Sequence, residues 1–231
     1  MSHYTREEIE QIAKATCGQI NNPTWRALRH GRLSCNLFQQ TFWTAYNLKH
    51  NKYQDVTDDY VKMWRSAIFH YGRDISGIPS LVYGSKSEQK AINQYELNSG
   101  NKVTPTGLWL FPDVPMYASP DGLICSSNGK IDGVIEIKCP STLENETTYS
   151  ALRSLDYLDA DGRLKENSRH FHQVQGHLYA TKANWCDFVI WAPDIYQRER
   201  IKPSEYWVNE QLPLIKELLC TRLIPEMKED C

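Results

Sequence analysis

The chain of 231 residues has no low-complexity tract, no convincing internal repeat and no long apolar run. Nothing in it approaches the roughly 20 apolar residues of a membrane span, so no membrane association is expected. The opening MSHYTREEIEQIAKAT lacks the apolar core of a secretory signal, and an intracellular location, in cytoplasm or nucleus, is expected. The seven cysteines are an odd number without C-x-x-C spacing, which argues against a disulfide framework, a zinc site or an iron–sulfur cluster. Reduced thiols in a reducing compartment are the default. Positive charge is not in excess either, with 26 basic against 28 acidic side chains and a net charge of −2. Bulk attraction to nucleic acid is thereby excluded. Any such contact must come from a local cluster, and WRALRHGR (25–32) is the best one, although such a cluster is ordinarily a solvated turn.

The chain is long enough, and at 41% hydrophobic apolar enough, to bury a substantial core as a single domain over 1–231. Apolar spacing predicts helices over 5–16 and after Ser34, the second with Phe38, Phe42 and Ala45 on one face. Residues 70–80 read as loop, and 85–98 as a helix ending before a Gly100 cap. Strands are expected near 103–111, 115–125, 130–138 and 185–191, with a helix at 170–183. Residues 141–169 are polar and read as an insertion with a turn at DADG. A last helix from about Glu205 contains Pro213 and should be interrupted there. The fold class is α/β, a mixed central β-sheet flanked by helices.

The stretch YASPDGLICSSNGKIDGVIEIKCP (117–140) concentrates the chemistry. Asn128-Gly129 signals a tight hairpin turn. With those two as the loop, Ser127 pairs with Lys130, Cys125 with Asp132, and Asp121 lies across from Glu136. Opposed side chains have Cβ atoms about 4.5–5.5 Å apart, and like charges there repel. Lys138, two residues past Glu136, shares its face. A divalent cation held by carboxylate oxygens would offset the repulsion. The plainer alternative is a surface hairpin carrying a Glu–Lys ion pair. Asp132 lies nearer the turn and reads as solvated. Glu88 is a third carboxylate, placed on an apolar stripe by Ala91, Ile92 and Tyr95. Ser85 to Glu88 is equally a capping box, which explains a glutamate there without catalysis.

SPDG followed by EIKCP resembles the signature of the PD-(D/E)XK nucleases, in the form of the lambda exonuclease and YqaJ-like viral recombinase family. WRALRHGRLSCN (25–36), YGSKSEQKAINQYE (83–96) and HQVQGHLYAT (172–181) are similar to further blocks of that family, in the same order. The insertion at 141–169 is closer in length to relatives from large viruses and eukaryotes than to the phage enzyme.

The resemblance implies a PD-(D/E)XK fold and a Mg²⁺-dependent deoxyribonuclease, with Mn²⁺ as a substitute metal. Asp121 would bridge two ions, with Glu136, Glu88 and the Ile137 carbonyl as further ligands. Lys138 would orient the attacking water and neutralise the phosphorane, its protonation state open. Gln173 would be a positioning residue beside the lysine; without the resemblance it reads as an exposed amide. Arg29, with Ser34 and Asn36, would bind a terminal 5′-phosphate, and Ser119 a DNA phosphate. The family has hydroxyl residues at 34 and 36, so Asn36 departs from the pattern. Tyr179 and His170, His172 and His177 carry little weight, the histidines lying on a polar segment that needs no metal to explain them.

Family members degrade one strand of duplex DNA from its 5′ end, as a ring-like trimer, and pass the exposed strand to an annealing protein. Double-stranded DNA ends, a homotrimer and a single-strand annealing protein are therefore the expected partners. An endonuclease or RNase using the same site is the alternative. A catalytically silent DNA-end-binding module is a third reading, against which the intact Glu88, Asp121, Glu136 and Lys138 set weighs.

Overall fold

Proline decides where the strands stop between Val103 and Cys125. Pro105, Pro112, Pro115 and Pro120 have no N–H to give to a ladder, so each of the two long strands expected here is cut in two. The structure, a computed structural model, describes residues 4–69 and 78–225. Its strands are β1 (Leu33–Ser34), β2 (Val103–Thr104), β3 (Trp109–Leu110), β4 (Met116–Ala118), β5 (Gly122–Cys125), β6 (Ile131–Lys138), β7 (Trp185–Ala192) and β8 (Ile195–Ile201). They make two sheets, β1–β4–β3 and β2–β5–β6–β7–β8, where one central sheet was expected. Both sheets are mixed, with β1 parallel to β4 and β6 parallel to β7.

The helices follow local signals. Helix α1 (Arg6–Ala15) starts at a Thr5–Glu8 capping box, and α2 (Pro23–Arg29) is capped by Asn22. Helix α3 (Phe38–Lys49) buries Phe38, Phe42 and Ala45 as their spacing predicts, and α4 (Asp58–Phe69) follows. Helix α5 (Pro79–Ser99) begins six residues before the expected start and ends at Gly100, whose φ of 72° is left-handed. Pro79 starts this helix, since a proline in the first turn removes an N–H that would be unpaired anyway. Most of the loop expected at 70–80 lies outside the described residues. Helix α6 (Arg169–Thr181) is capped by Ser168. Helix α7 (Leu212–Leu218) lies between π-helical turns at Trp207–Gln211 and Leu219–Leu223. Pro213 does not interrupt the run, because the wider turn before it takes up the missing donor.

The segment 141–169 is less polar in place than in sequence. Leu143, Leu152, Leu155, Leu158 and Leu164 are buried in the main core, and the DADG turn closes through Gly162 at φ 77°.

Strand β6 is buried on both faces. Its Ile135 and Ile137 pack with Ala91 and Tyr95 of α5, while Val134 and Glu136 face the core that holds α6. Tyr95 OH donates to Asp187 on β7 at 2.8 Å, and Arg200 on β8 grips the same carboxylate through two contacts of 2.8 Å. Tyr95 thereby ties α5 to β7, and the half-exposed Arg200 ties β7 to β8 through the same carboxylate.

The β5–β6 hairpin departs from the expected register at its tip only. Ser126 N–H donates to Lys130 O and Gly129 N–H to Ser126 O, so the loop has three residues, with Gly129 left-handed at φ 81°. Cys125 then pairs with Ile131, not Asp132, and the ladder shifts between Ile124 and Cys125. The shift restores the expected pairing from Ile124–Gly133 to Gly122–Ile135. A wrong loop and an unforeseen bulge cancel before the site.

Candidate active site

Pro120 ends β4's sheet and Gly122 opens β5, leaving Asp121 at the junction. Its N–H donates to Ile135 O at 3.1 Å, and its Oδ2 accepts from Ile137 N–H at 2.6 Å. Asp121 therefore brackets Glu136 from both sides. Glu136 is buried, and its Oε1 accepts from the Lys138 ammonium and from Gln173 Nε2, the latter at 2.7 Å. Gln173 is thus a buried amide acting on Glu136, where sequence alone read an exposed one.

The electrostatics are those of crowded carboxyls. Burial, then Glu136, pushes the Asp121 carboxyl up. Burial also pushes Glu136 up, with Lys138 working against it. Glu88 lies on the exposed side of α5 at the cavity mouth; partial desolvation and Asp121 push it up to about 7. Burial alone would pull Lys138 down, but Glu136 and Asp121 outweigh it and hold Nζ charged.

Two expectations about Glu88 need correction. Ser85 and Glu88 are interior to α5, whose cap is Ile78, so there is no capping box. The buried stripe is Ser87, Ala91 and Tyr95, with Glu88 beside it.

All ten residues singled out from the sequence line one cavity of about 710 Å³. At one side Arg29 donates from Nε to Tyr117 OH at 2.8 Å, with its guanidinium 4.0 Å from the Trp25 ring centre. Ser34 and Asn36 form the turn beside it, Ser34 Oγ accepting from Asn36 N–H. Ser119 Oγ accepts from Trp25 Nε1 at 3.1 Å and donates to Gly107 O at 3.4 Å, so it steadies the tryptophan. Asp132 does not line the cavity.

Sequence reasoning set His177 aside and gave Arg169, Tyr157 and Trp25 no site role, yet all four also line it. Helix α6 is buried at every position except Arg169 and Tyr179, so its histidines are interior rather than on a polar face. Burial pulls His170 and His177 down to about 3 and His172 to about 4. His177 follows Gln173 by four residues, a helical spacing that was legible.

Among the described residues, no three His, Cys, Asp or Glu groups stand in a ready-made metal cluster. Glu136 Oε1 is taken by Lys138 and Gln173, and Asp121 Oδ2 by a backbone N–H. The donor chemistry nevertheless fits a hard divalent ion. Glu136 Oε2 is buried without a hydrogen-bond partner, beside two further carboxyls, Asp121 and Glu88, whose pKa burial and then a neighbouring carboxylate push up.

A mixed sheet with Asp121 at a strand junction and Glu136 and Lys138 on the next strand is the arrangement of the PD-(D/E)XK fold. The family model of the YqaJ-like viral recombinase domain matches residues 24–184, and the chain belongs to that family. An alkaline exonuclease from Laribacter hongkongensis superposes with a TM-score of 0.63 at 22% identity, over 89% of this chain and 94% of its own. A phage-related exonuclease from Haemophilus somnus 129PT gives 0.53 at 14% identity, over 86% and 97%. A SOX protein solved in complex with DNA gives 0.56 at 12% identity, over 96% and 73%. At these identities the likeness is one of fold. No curated protein sequence matches the chain.

Proposed function

We propose that this chain is a divalent-cation-dependent exonuclease that hydrolyses one strand of duplex DNA from its 5′ end. The observation that carries the reading is one cavity holding Asp121, Glu136 and Lys138 together with an arginine seated on Trp25 and Tyr117. Asp121, Glu136, Glu88 and the Ile137 carbonyl would hold Mg²⁺, or Mn²⁺ in its place. The ion supplies Lewis-acid neutralisation of the phosphate and a more acidic bound water. Lys138, whose pKa the two carboxyls raise against the pull of burial, acts as a cation at the non-bridging oxygens. Gln173 holds Glu136 by its Oε1 and keeps the carboxylate facing the cavity. Arg29 binds the terminal phosphate through a planar fork that lysine lacks.

The test compares linear duplexes bearing 5′-phosphate or 5′-hydroxyl ends with covalently closed circles, in Mg²⁺ or in EDTA. Phosphorylated ends should be degraded fastest, closed circles spared, and EDTA should stop all cleavage. Activity in EDTA would remove the metal reading. Equal cutting of closed circles would replace the exonuclease with an endonuclease.

A further inference from the structure

The Glu136 carboxylate has a neighbour that the nuclease reading leaves unused. Its Oε1 already accepts from Lys138 and Gln173. Facing the other oxygen, Oε2, is Nδ1 of His177 at 3.3 Å. That oxygen and both imidazole nitrogens are buried and make no hydrogen bond, and His177 has no exposed surface. Unpaired polar atoms that face each other inside a protein call for an explanation. A neutral imidazole carries one N–H and one lone pair. With the proton on Nε2, two lone pairs would confront each other across 3.3 Å; with it on Nδ1, the contact becomes attractive.

We propose that His177 is a positioning residue whose Nδ1–H donates to Oε2 of Glu136 and fixes the plane of that carboxylate. The kinetic consequence rests on the nuclease reading above; the contact itself does not. An ionised carboxylate offers about four lone-pair sites. Lys138 and Gln173 occupy two on Oε1, His177 occupies one on Oε2, and the remaining one is left for a cation. Gln173 and His177 sit four residues apart on α6, so one helix grips both oxygens. The same helix lies against β6, which carries Glu136. Groups that orient a metal-binding carboxylate in this way change metal affinity or activity by about 10–100-fold when removed.

Two variants separate loss of the donor from loss of the ring. His177→Phe keeps an aromatic ring and removes the N–H; His177→Asn places an amide N–H near the position of Nδ1. On a linear 5′-phosphorylated duplex, His177→Phe is expected to lower kcat by about 10-fold or more. It should also raise the Mg²⁺ concentration needed for half-maximal rate and leave KM for DNA unchanged, while His177→Asn recovers most of the loss. Because a core variant can fail to fold, the ¹⁵N spectrum of the wild-type imidazole is the second measurement. The proton should sit on Nδ1, and its signal should move in Glu136→Gln. A proton on Nε2 overturns the proposal. So does a His177→Phe enzyme that matches an active wild type in kcat and Mg²⁺ requirement. An inactive wild type with Nδ1 protonated and coupled to Glu136 supports the contact and removes the nuclease reading alone.

Discussion

The amide of Ile137 donates to Asp121 Oδ2 at 2.6 Å, so a side-chain carboxylate stands where a strand neighbour's carbonyl would otherwise be. The β5–β6 pairing ends at Gly122–Ile135, so no strand partner on β5 stands opposite Ile137. The sheet itself therefore fixes the carboxylate next to Glu136.

Asp121→Asn separates that structural bond from the charge. Asparagine keeps an oxygen that accepts from Ile137 N–H, so the fold should survive. Melting without metal should be unchanged or slightly raised, since repulsion with Glu136 is relieved. Cleavage should fall by at least about 100-fold, the scale of losing one electrostatic contact in an active site. Stabilisation by Mg²⁺, seen as a Tm increase in the wild type, should vanish. A variant with near-normal turnover would rule Asp121 out of the site.

Glu88 governs a pH effect. A carboxyl raised in the folded state binds more protons folded than unfolded between about pH 4.3 and its folded value. Its stabilisation is complete below the lower limit and is lost as pH rises through about 7 for Glu88, with Asp121 and Glu136 shifted the same way. The three buried histidines act oppositely, but only below about pH 6.5, where the unfolded chain takes up their protons. Melts in EDTA between pH 6.5 and 8.5 should therefore show Tm falling, and Mg²⁺ should raise Tm more at the upper end. Glu88→Gln should flatten the slope, cut turnover and leave stability at pH 6.5 unchanged or raised. A rising Tm over this window would contradict the crowded-carboxyl description.

A glycine sets the cavity wall. A Cβ on Gly176 would lie 2.8 Å from Cys35 Cβ and 3.0 Å from a ring carbon of Phe38. Gly176→Ala must push the turn at 35–37 off α6, and overpacking of this kind costs about 1–3 kcal/mol. Urea titration should give that loss, and turnover should drop as well because Ser34 and Asn36 move with the turn. A neutral result would mean that the α6 contact is looser than these distances imply.

How the sequence exposed the site, and where it did not, follows from the same packing. Residues 121 to 138 were legible because the Asn-Gly signal placed the turn and strand pairing carried the register to the carboxylates. The loop length was one residue off, and the bulge that corrected it leaves no mark in composition. Strand β8 was missed because IYQRERI mixes apolar and charged residues on an edge strand with much of its surface exposed. His177 was set aside for a different reason. Helical periodicity assumes one wet face, whereas α6 is enclosed by α3, the turn at 35–37 and both sheets. Its polar side chains are interior, and only tertiary contacts reveal that.

On the proposed reading, Arg29 is the residue that separates ends from interior sites. Its Nε is held by Tyr117 OH, and the guanidinium rests 4.0 Å from the Trp25 ring centre and 5.5 Å from that of Tyr117. Trp25 is in turn pinned through Nε1 to Ser119. This seat orients a planar fork, and lysine would reproduce neither the stacking nor the fork. A terminal phosphate carries more negative charge than a diester, so an arginine that binds phosphate here would favour ends. Loss of one charge-assisted contact removes about 1.5–3 kcal/mol, or ten-fold and more in rate. Wild type should prefer 5′-phosphorylated over 5′-hydroxyl ends by about that factor. Arg29→Ala and Arg29→Lys should both erase the preference while Mg²⁺ still raises Tm, because the carboxylates are untouched. Tyr117→Phe keeps the ring and loses the Nε anchor, so it should fall between them and wild type. Competition between the two kinds of end in one digest measures all four proteins directly. If Arg29→Ala keeps the full preference, the terminal phosphate is read elsewhere in the cavity and Arg29 is only part of its wall.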